Sequence, residues 1–148
     1  MRTRRRGAVA LLVGLCGIAI AAGAFPMWVS ARGRRPASGI RHTAISGLLH
    51  WHYRYTATFT LSFALIVIAC GALVLVGGAF ASRLVAGLFS LIALAAAGVW
   101  IALNASRYSP ASLPYSDLRL GAWLVIGGGL VGLIGSFFMR QSQRQREF

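Results

Sequence analysis

The chain is predicted to be an all-α, integral membrane four-helix bundle running up-down-up-down, on three observations. Residues 7–31, 55–82, 84–106 and 120–139 contain no Asp, Glu, Lys, Arg or His, and each stretch reaches the ~20 apolar residues that cross a hydrocarbon layer of ~30 Å. Only Ser82-Arg83 separates the second stretch from the third, so those two form an antiparallel hairpin. The tryptophans and tyrosines fall beside alternate ends of the stretches, where amphipathic rings mark one membrane–water boundary.

The spans must be helices, because hydrocarbon offers no partner to unpaired backbone groups and the period-2 alternation of barrel strands is missing. The expected positions are 8–29, 57–81, 84–104 and 119–139 within one domain covering residues 1–148. Loops 30–56 and 105–118 then share the outer side, and both termini share the other.

Helix one follows Arg2, Arg4, Arg5 and Arg6, and Ala22-Gly23-Ala24 supplies an A-x-A pattern, so a cleaved signal peptide is one reading. The apolar stretch continues through Phe25-Pro26-Met27-Trp28-Val29, longer than a signal core and ending in an interfacial aromatic, which favours a retained anchor. Helix two is preceded by Trp51, Tyr53 and Tyr55, helix three ends near Trp100, and Tyr108, Tyr115 and Trp123 bracket the entry to helix four. Small residues thin the spans, as close backbone approach requires. Gly128 and Gly132, a G-x-x-x-G pair in helix four, are the expected helix-packing positions, with Gly14, Gly17 and Gly23 thinning helix one. In loop one, Ile40, Ala44, Ile45, Leu48 and Leu49 recur at the spacing of a short interfacial helix.

Composition limits function. At 57% apolar and 11% charged residues the chain departs from the balance of a water-soluble domain. All fifteen basic residues are arginine and the net charge is +13. Since these arginines flank apolar spans, anionic lipid headgroups are the expected partner and nucleic acid is not. The tails and short turn carry Arg2, Arg4, Arg5, Arg6, Arg83, Arg140, Arg144 and Arg146, against Arg32, Arg34, Arg35, Arg41, Arg54, Arg107 and Arg119 in the outer loops. That small excess, with clusters abutting helices one and four, places both termini in the cytoplasm.

No motif with catalytic chemistry occurs, so no enzyme activity and no cofactor is expected. Cys16 and Cys70 fall inside apolar spans and neither outer loop contains cysteine, which excludes a disulfide-stapled outer domain or a CxxC redox site. His42, His50 and His52 gather in loop one. His50 and His52 are the only metal-ligand candidates, and at i, i+2 they need extended backbone to point the same way. No nearby thiolate or carboxylate completes a coordination sphere, so interfacial anchoring is the preferred role and no metal is expected. Transport is disfavoured because the spans lack the buried ionisable relay of proton-coupled carriers.

The function expected is therefore that of a non-enzymatic scaffold or accessory subunit, contacting a membrane or envelope partner, or further copies of itself, through its outer loops. The contact residues chosen are Trp28, His50, Trp51, His52, Tyr53 and Tyr115. The alternative is an oligomeric small-solute channel or exporter.

Two resemblances accompany this reading. Phe25-Pro26-Met27-Trp28-Val29-Ser30-Ala31 closing helix one, a long first outer loop, an arginine turn and a shorter second outer loop resemble the layout of claudin-type four-span proteins. Their G-L-W motif with two loop cysteines is absent, Gly47-Leu48-Leu49-His50-Trp51 being an echo of it. The likeness is one of convergent topology and implies no barrier or pore function. The lysine-free Ala, Gly, Leu, Val and Arg bias, with Trp28 closing helix one and a glycine-rich fourth helix running into Arg140, resembles small four-span membrane proteins of actinobacteria, including the tryptophan-associated type. That resemblance implies a multi-pass protein of the bacterial plasma membrane.

Overall fold

A computed structural model of the chain describes residues 2–28, 40, 59–105 and 118–144, with side chains for 7–28, 40, 59–103 and 118–139. Among these residues the protein is all-helical and has no strand. Four helices follow one another: α1 (Arg2–Gly23), α2 (Phe63–Ala79), α3 (Arg83–Ala105) and α4 (Leu120–Arg144), with a single 3₁₀ turn at Phe59–Leu61 before α2.

The helix ends depart from the apolar limits most at four places, each for a local reason. α1 begins in the arginine cluster and stops at Gly23, not at residue 29. Arginine is a good helix former, whereas Pro26 has no N–H to continue the ladder, and the chain tightens into Ala24 N–Ala21 O and Phe25 N–Ala22 O bonds of 3.2 Å each. α2 starts at Phe63 instead of residue 57. Ser62 is extended (φ −103°, ψ 156°) and its hydroxyl donates to the Phe59 carbonyl at 2.7 Å, closing the 3₁₀ turn rather than capping α2. α4 continues five residues past its expected end, because Arg140-Gln-Ser-Gln-Arg144 holds no glycine or proline to stop it.

Two helices are long and apolar enough to cross a membrane, over Arg83–Leu103 and Leu120–Met139. The apolar parts of the other two, Gly7–Gly23 and Phe63–Ala79, are shorter. At ~1.5 Å per residue such 17-residue segments rise about 26 Å, slightly under the hydrocarbon thickness, so the expected four full-length spans are met by two of the helices themselves.

The α2–α3 connection is a helix stop of defined geometry. Ser82 N donates to Gly77 O at 2.8 Å and Ala81 N to Gly78 O at 3.1 Å, the paired bonds of a Schellman motif. Its left-handed position is held by Ala81 (φ 51°), where a Cβ is disfavoured. Ala81→Gly is expected to raise the unfolding free energy by about 1 kcal/mol, read as a higher denaturant midpoint in micelles. An unchanged or lowered midpoint would count against this turn geometry.

Each helix is antiparallel to two neighbours, in the cyclic order α1, α2, α3, α4, and the diagonal pair α1–α3 barely touches. The direction follows from the close contacts: Gly78 and Gly71 of α2 meet Gly14 and Ala21 of α1, while Gly121, Gly128 and Gly135 of α4 meet Gly23, Ile20 and Val13. Along α3 the buried positions are Ala86, Ser90, Ala93, Ala97, Trp100 and Leu103, in steps of three and four that line one helical stripe. Val13, Ile20, Phe63, Val67, Val74, Val125 and Ile40 complete the core.

Large apolar side chains also cover the exterior. Leu11, Leu15, Leu75, Leu84, Leu88, Leu130, Ile134 and Phe137 are all exposed. Only a third of each long apolar helix is buried, the reverse of a core helix in a water-soluble fold.

Candidate functional site

Among the described residues the two ends of the helix ring differ in chemistry. At one end the chain leaves α1 and doubles back through Phe25-Pro26-Met27-Trp28. The Trp28 indole N–H donates to the Gly23 carbonyl at 2.8 Å, satisfying a carbonyl that the helix end would otherwise orphan. Its ring meets Trp100 edge-on, with centroids 5.1 Å apart and planes at 68°, an arrangement favoured by the ring quadrupoles. The main chain there also caps α4: Arg119 N donates to Trp28 O at 2.9 Å and Gly121 N to Met27 O at 3.3 Å. Gly121 makes this possible, since a Cβ there would lie 2.6 Å from Trp28 Cδ1 and 2.9 Å from the Gly23 carbonyl oxygen.

Trp28 therefore corrects the expectation that it faces a partner. It is fully buried, as is Trp100, and it fastens α1 to α4 from within. Trp123, two residues beyond Gly121, is half exposed and stands with Phe25, Met27, Leu61 and Leu120 in an exposed apolar rim around the buried pair. The signal for it in the sequence was the Leu120, Trp123 spacing at the mouth of helix four, which places both on one face. His50, Trp51, His52, Tyr53 and Tyr115, together with His42, lie outside the described residues.

The opposite end is basic. The first turns of α1 hold Arg2, Arg4, Arg5 and Arg6, α3 opens with Arg83, and the last turns of α4 hold Arg140 and Arg144. The contacts of Gly78 with Ala10 and Gly14, and of Gly135 with Val13, bring these three elements to the same end of the ring. No acidic residue occurs among the described residues. Phe80, Phe137 and Phe138 are exposed just inside this basic end.

Between the ends, Gly128 meets Ile20, Ala19 and the Cys16 carbonyl of α1, and Gly132 meets Ser90 of α3 and Cys16. The α3–α4 seam is reciprocal: the Ser90 hydroxyl lies over Gly132 and the Ser136 hydroxyl over Gly87. Ser136 donates to Leu133 O at 2.6 Å, while the Ser90 hydroxyl is buried with no hydrogen-bond partner. Cys16 and Cys70 are free, buried and on different helices. Among the described residues no three His, Cys, Asp or Glu side chains come together as metal ligands. Val13, Ile20, Trp28, Val67, Val74 and Trp100 have no solvent exposure.

No protein-family model matches the chain, and no curated protein and no solved structure is significantly similar to it.

Proposed function

We propose that the protein is an integral membrane four-helix bundle acting as a non-enzymatic scaffold or accessory subunit. All four helices span the bilayer of a bacterial plasma membrane, with the basic end and both termini in the cytoplasm. Residues flanking the shorter helices, Phe25–Trp28 and Phe59–Ser62, make up the missing depth at the outer boundary.

The observation that carries this reading is the inverted distribution of size without polarity. Leu, Ile and Phe surround the ring while Gly, Ala and Ser fill its seams. Lipid tails solvate the former as well as a protein core does, and close packing of the latter supplies the association energy that the hydrophobic effect does not. The excess of arginine at one end matches the side facing the cytoplasm and its anionic lipids.

The fully buried side chains among the described residues are apolar apart from Ser62 and Ser90 and include no ionisable relay, which directs attention to what the bundle carries. Loops 30–56 and 105–118 spring from the outer end, beside the apolar rim of Leu120 and Trp123. These, with Trp51, His50, His52, Tyr53 and Tyr115, form the surface offered to a membrane or envelope partner or to a second copy.

Cross-linking in native membranes, followed by extraction in mild detergent, tests the proposal. A specific adduct is expected, weakened by Trp51→Ala and by Trp123→Ala. A strictly monomeric protein with no adduct, and both substitutions silent, would sink the scaffold reading. Solute-dependent leakage from liposomes above that of empty vesicles would replace it with the oligomeric channel.

A further inference from the structure

We infer that the outward groove between α1 and α2 is a binding site for one anionic phospholipid, its acyl chain lying along Gly14 and Gly78 and its phosphate held by the arginines at the groove's basic end. The inference rests on the membrane placement proposed above and adds to it a ligand, a seat and a polarity.

The groove has a volume of about 340 Å³ and is walled by Ala10, Gly14, Leu15, Leu75, Gly78 and Ala79, among others, with almost no polar surface. Its floor exists because α1 and α2 touch backbone to backbone: a Cβ on Gly78 would lie 2.8 Å from Gly14 N and 3.0 Å from Ala10 O. Its walls are exposed, Leu11 at 66%, Leu15 at 56% and Ile18 at 52%. From Ala10 to Ile18 the groove runs about 12 Å at ~1.5 Å per residue, close to the ~15 Å that one leaflet contributes to a ~30 Å hydrocarbon core.

Charge fixes which end is the head. Arg6 precedes Ala10 by four residues on the α1 wall, about 6 Å of helix, and the other wall ends at Ala79 in the turn that leads to Arg83, the first residue of α3. A phosphoglycerol head set back from its chains by the glycerol backbone spans that offset. Four arginines at the start of a helix oppose its dipole, whose N-terminal end favours anions, and no acid among the described residues offsets them. A bound phosphate answers both charges at once.

The other candidate for this apolar face is a second copy of the chain. Two copies in one membrane share an orientation, so docking this face on itself would set the arginine-rich starts of two α1 helices side by side. Like charges disfavour that contact, and an anionic lipid is drawn to it.

The full-length protein, reconstituted into vesicles of equal parts phosphatidylglycerol and phosphatidylcholine and then taken into mild detergent, is weighed by native mass spectrometry. Phosphatidylglycerol is expected to be retained over phosphatidylcholine by roughly tenfold, as one to two arginine–headgroup contacts supply. Arg5→Gln/Arg6→Gln and Gly14→Leu should each abolish the preference. A Cβ at Gly14 meets only Leu75 Cδ1, at 3.4 Å, so the leucine fills the groove. Leu15→Gln, which makes the same wall polar at an exposed position, should act likewise if Gly14→Leu misfolds. Gly98→Leu, with nothing within 4 Å, should leave it intact.

Equal retention of the two lipids by a protein that enters vesicles overturns the site and spares the membrane reading. Loss of preference with the arginine variant alone, the groove variants behaving as wild type, overturns it in favour of a diffuse surface charge. A mass doubled in wild type and halved by Gly14→Leu overturns it in favour of a second copy. Failure of the wild-type protein to enter vesicles overturns both proposals.

Discussion

Gly71→Ala is expected to destabilise the protein by about 2 kcal/mol, although alanine is the better helix former by up to ~1 kcal/mol. A Cβ at position 71 would sit 2.6 Å from both Ala21 N and Gly17 O, and one at position 17 would sit 2.5 Å from Leu75 N. These are contacts with rigid backbone on the facing helix. The seam can accept the extra atom only by moving α1 and α2 apart along their length, and overpacking of this kind costs about 1–3 kcal/mol or more. Gly17→Ala should behave the same way.

The sign is what makes the prediction sharp. Gly98 and Gly127 have open space where a Cβ would go, so Gly98→Ala and Gly127→Ala should stabilise slightly through propensity alone. Unfolding by sodium dodecyl sulfate in mixed micelles, followed by helical circular dichroism, separates the pairs. If all four substitutions shift the midpoint in one direction, the backbone contact at Gly17 and Gly71 is refuted.

Trp28→Ala should cost about 3–5 kcal/mol, the range for emptying a large buried aromatic site. It leaves a hole against Trp100 and strips the Gly23 carbonyl of its 2.8 Å donor. Trp28→Phe keeps much of the ring and loses the indole N–H, so a smaller loss of about 1 kcal/mol is expected from the hydrogen bond. Gly121→Ala should also destabilise, because its Cβ would strike Trp28 Cδ1 and Nε1.

The informative variant is the double one. With the indole gone, the methyl at 121 has room on that side, so Trp28→Ala/Gly121→Ala should cost less than the two single losses combined, by about 1 kcal/mol or more. Strict additivity would mean that Gly121 does not seat Trp28. Near-ultraviolet circular dichroism of the tryptophans offers an independent readout, since the edge-on Trp28–Trp100 pair is asymmetric and both rings are fixed.

Helix number and the Ser82-Arg83 turn were legible in the residues, because each depends on local composition. The sidedness of each helix was not. α2 buries Val67, Cys70, Gly71 and Val74 while exposing Leu65, Leu73, Leu75 and Val76, and its two faces have nearly the same polarity. Size alone does not separate them either, since Phe63 is buried and Ala72 exposed, so the sidedness becomes visible only once the neighbours are in place. Gly128 and Gly132 drew notice by density in the sequence, yet backbone-to-backbone approach is tightest at Gly17 and Gly71, which stand in a less conspicuous setting.

Trp28 illustrates the same ambiguity at a helix end. Apolar context suggested an amphipathic ring at the headgroup level, whereas Pro26 turns the chain inward and buries it. The candidate contact residues of the first outer loop rest on composition, as His50, Trp51, His52 and Tyr53 lie outside the described residues.

The neighbouring positions of α1 and α4 have a consequence for biogenesis. The first helix made finds its second flank only when the last has emerged, and the Trp28–Arg119 and Met27–Gly121 bonds join residues more than ninety positions apart in the chain. Until then a nascent three-helix intermediate leaves open the flank of α1 formed by Val13, Cys16, Ala19, Ile20 and Gly23, against which the α4 glycines later pack. Contacts of such long separation form late and leave intermediates open to capture. That open flank is the part of the unfinished chain a chaperone or insertase would have to shield, and the arrival of α4 covers it.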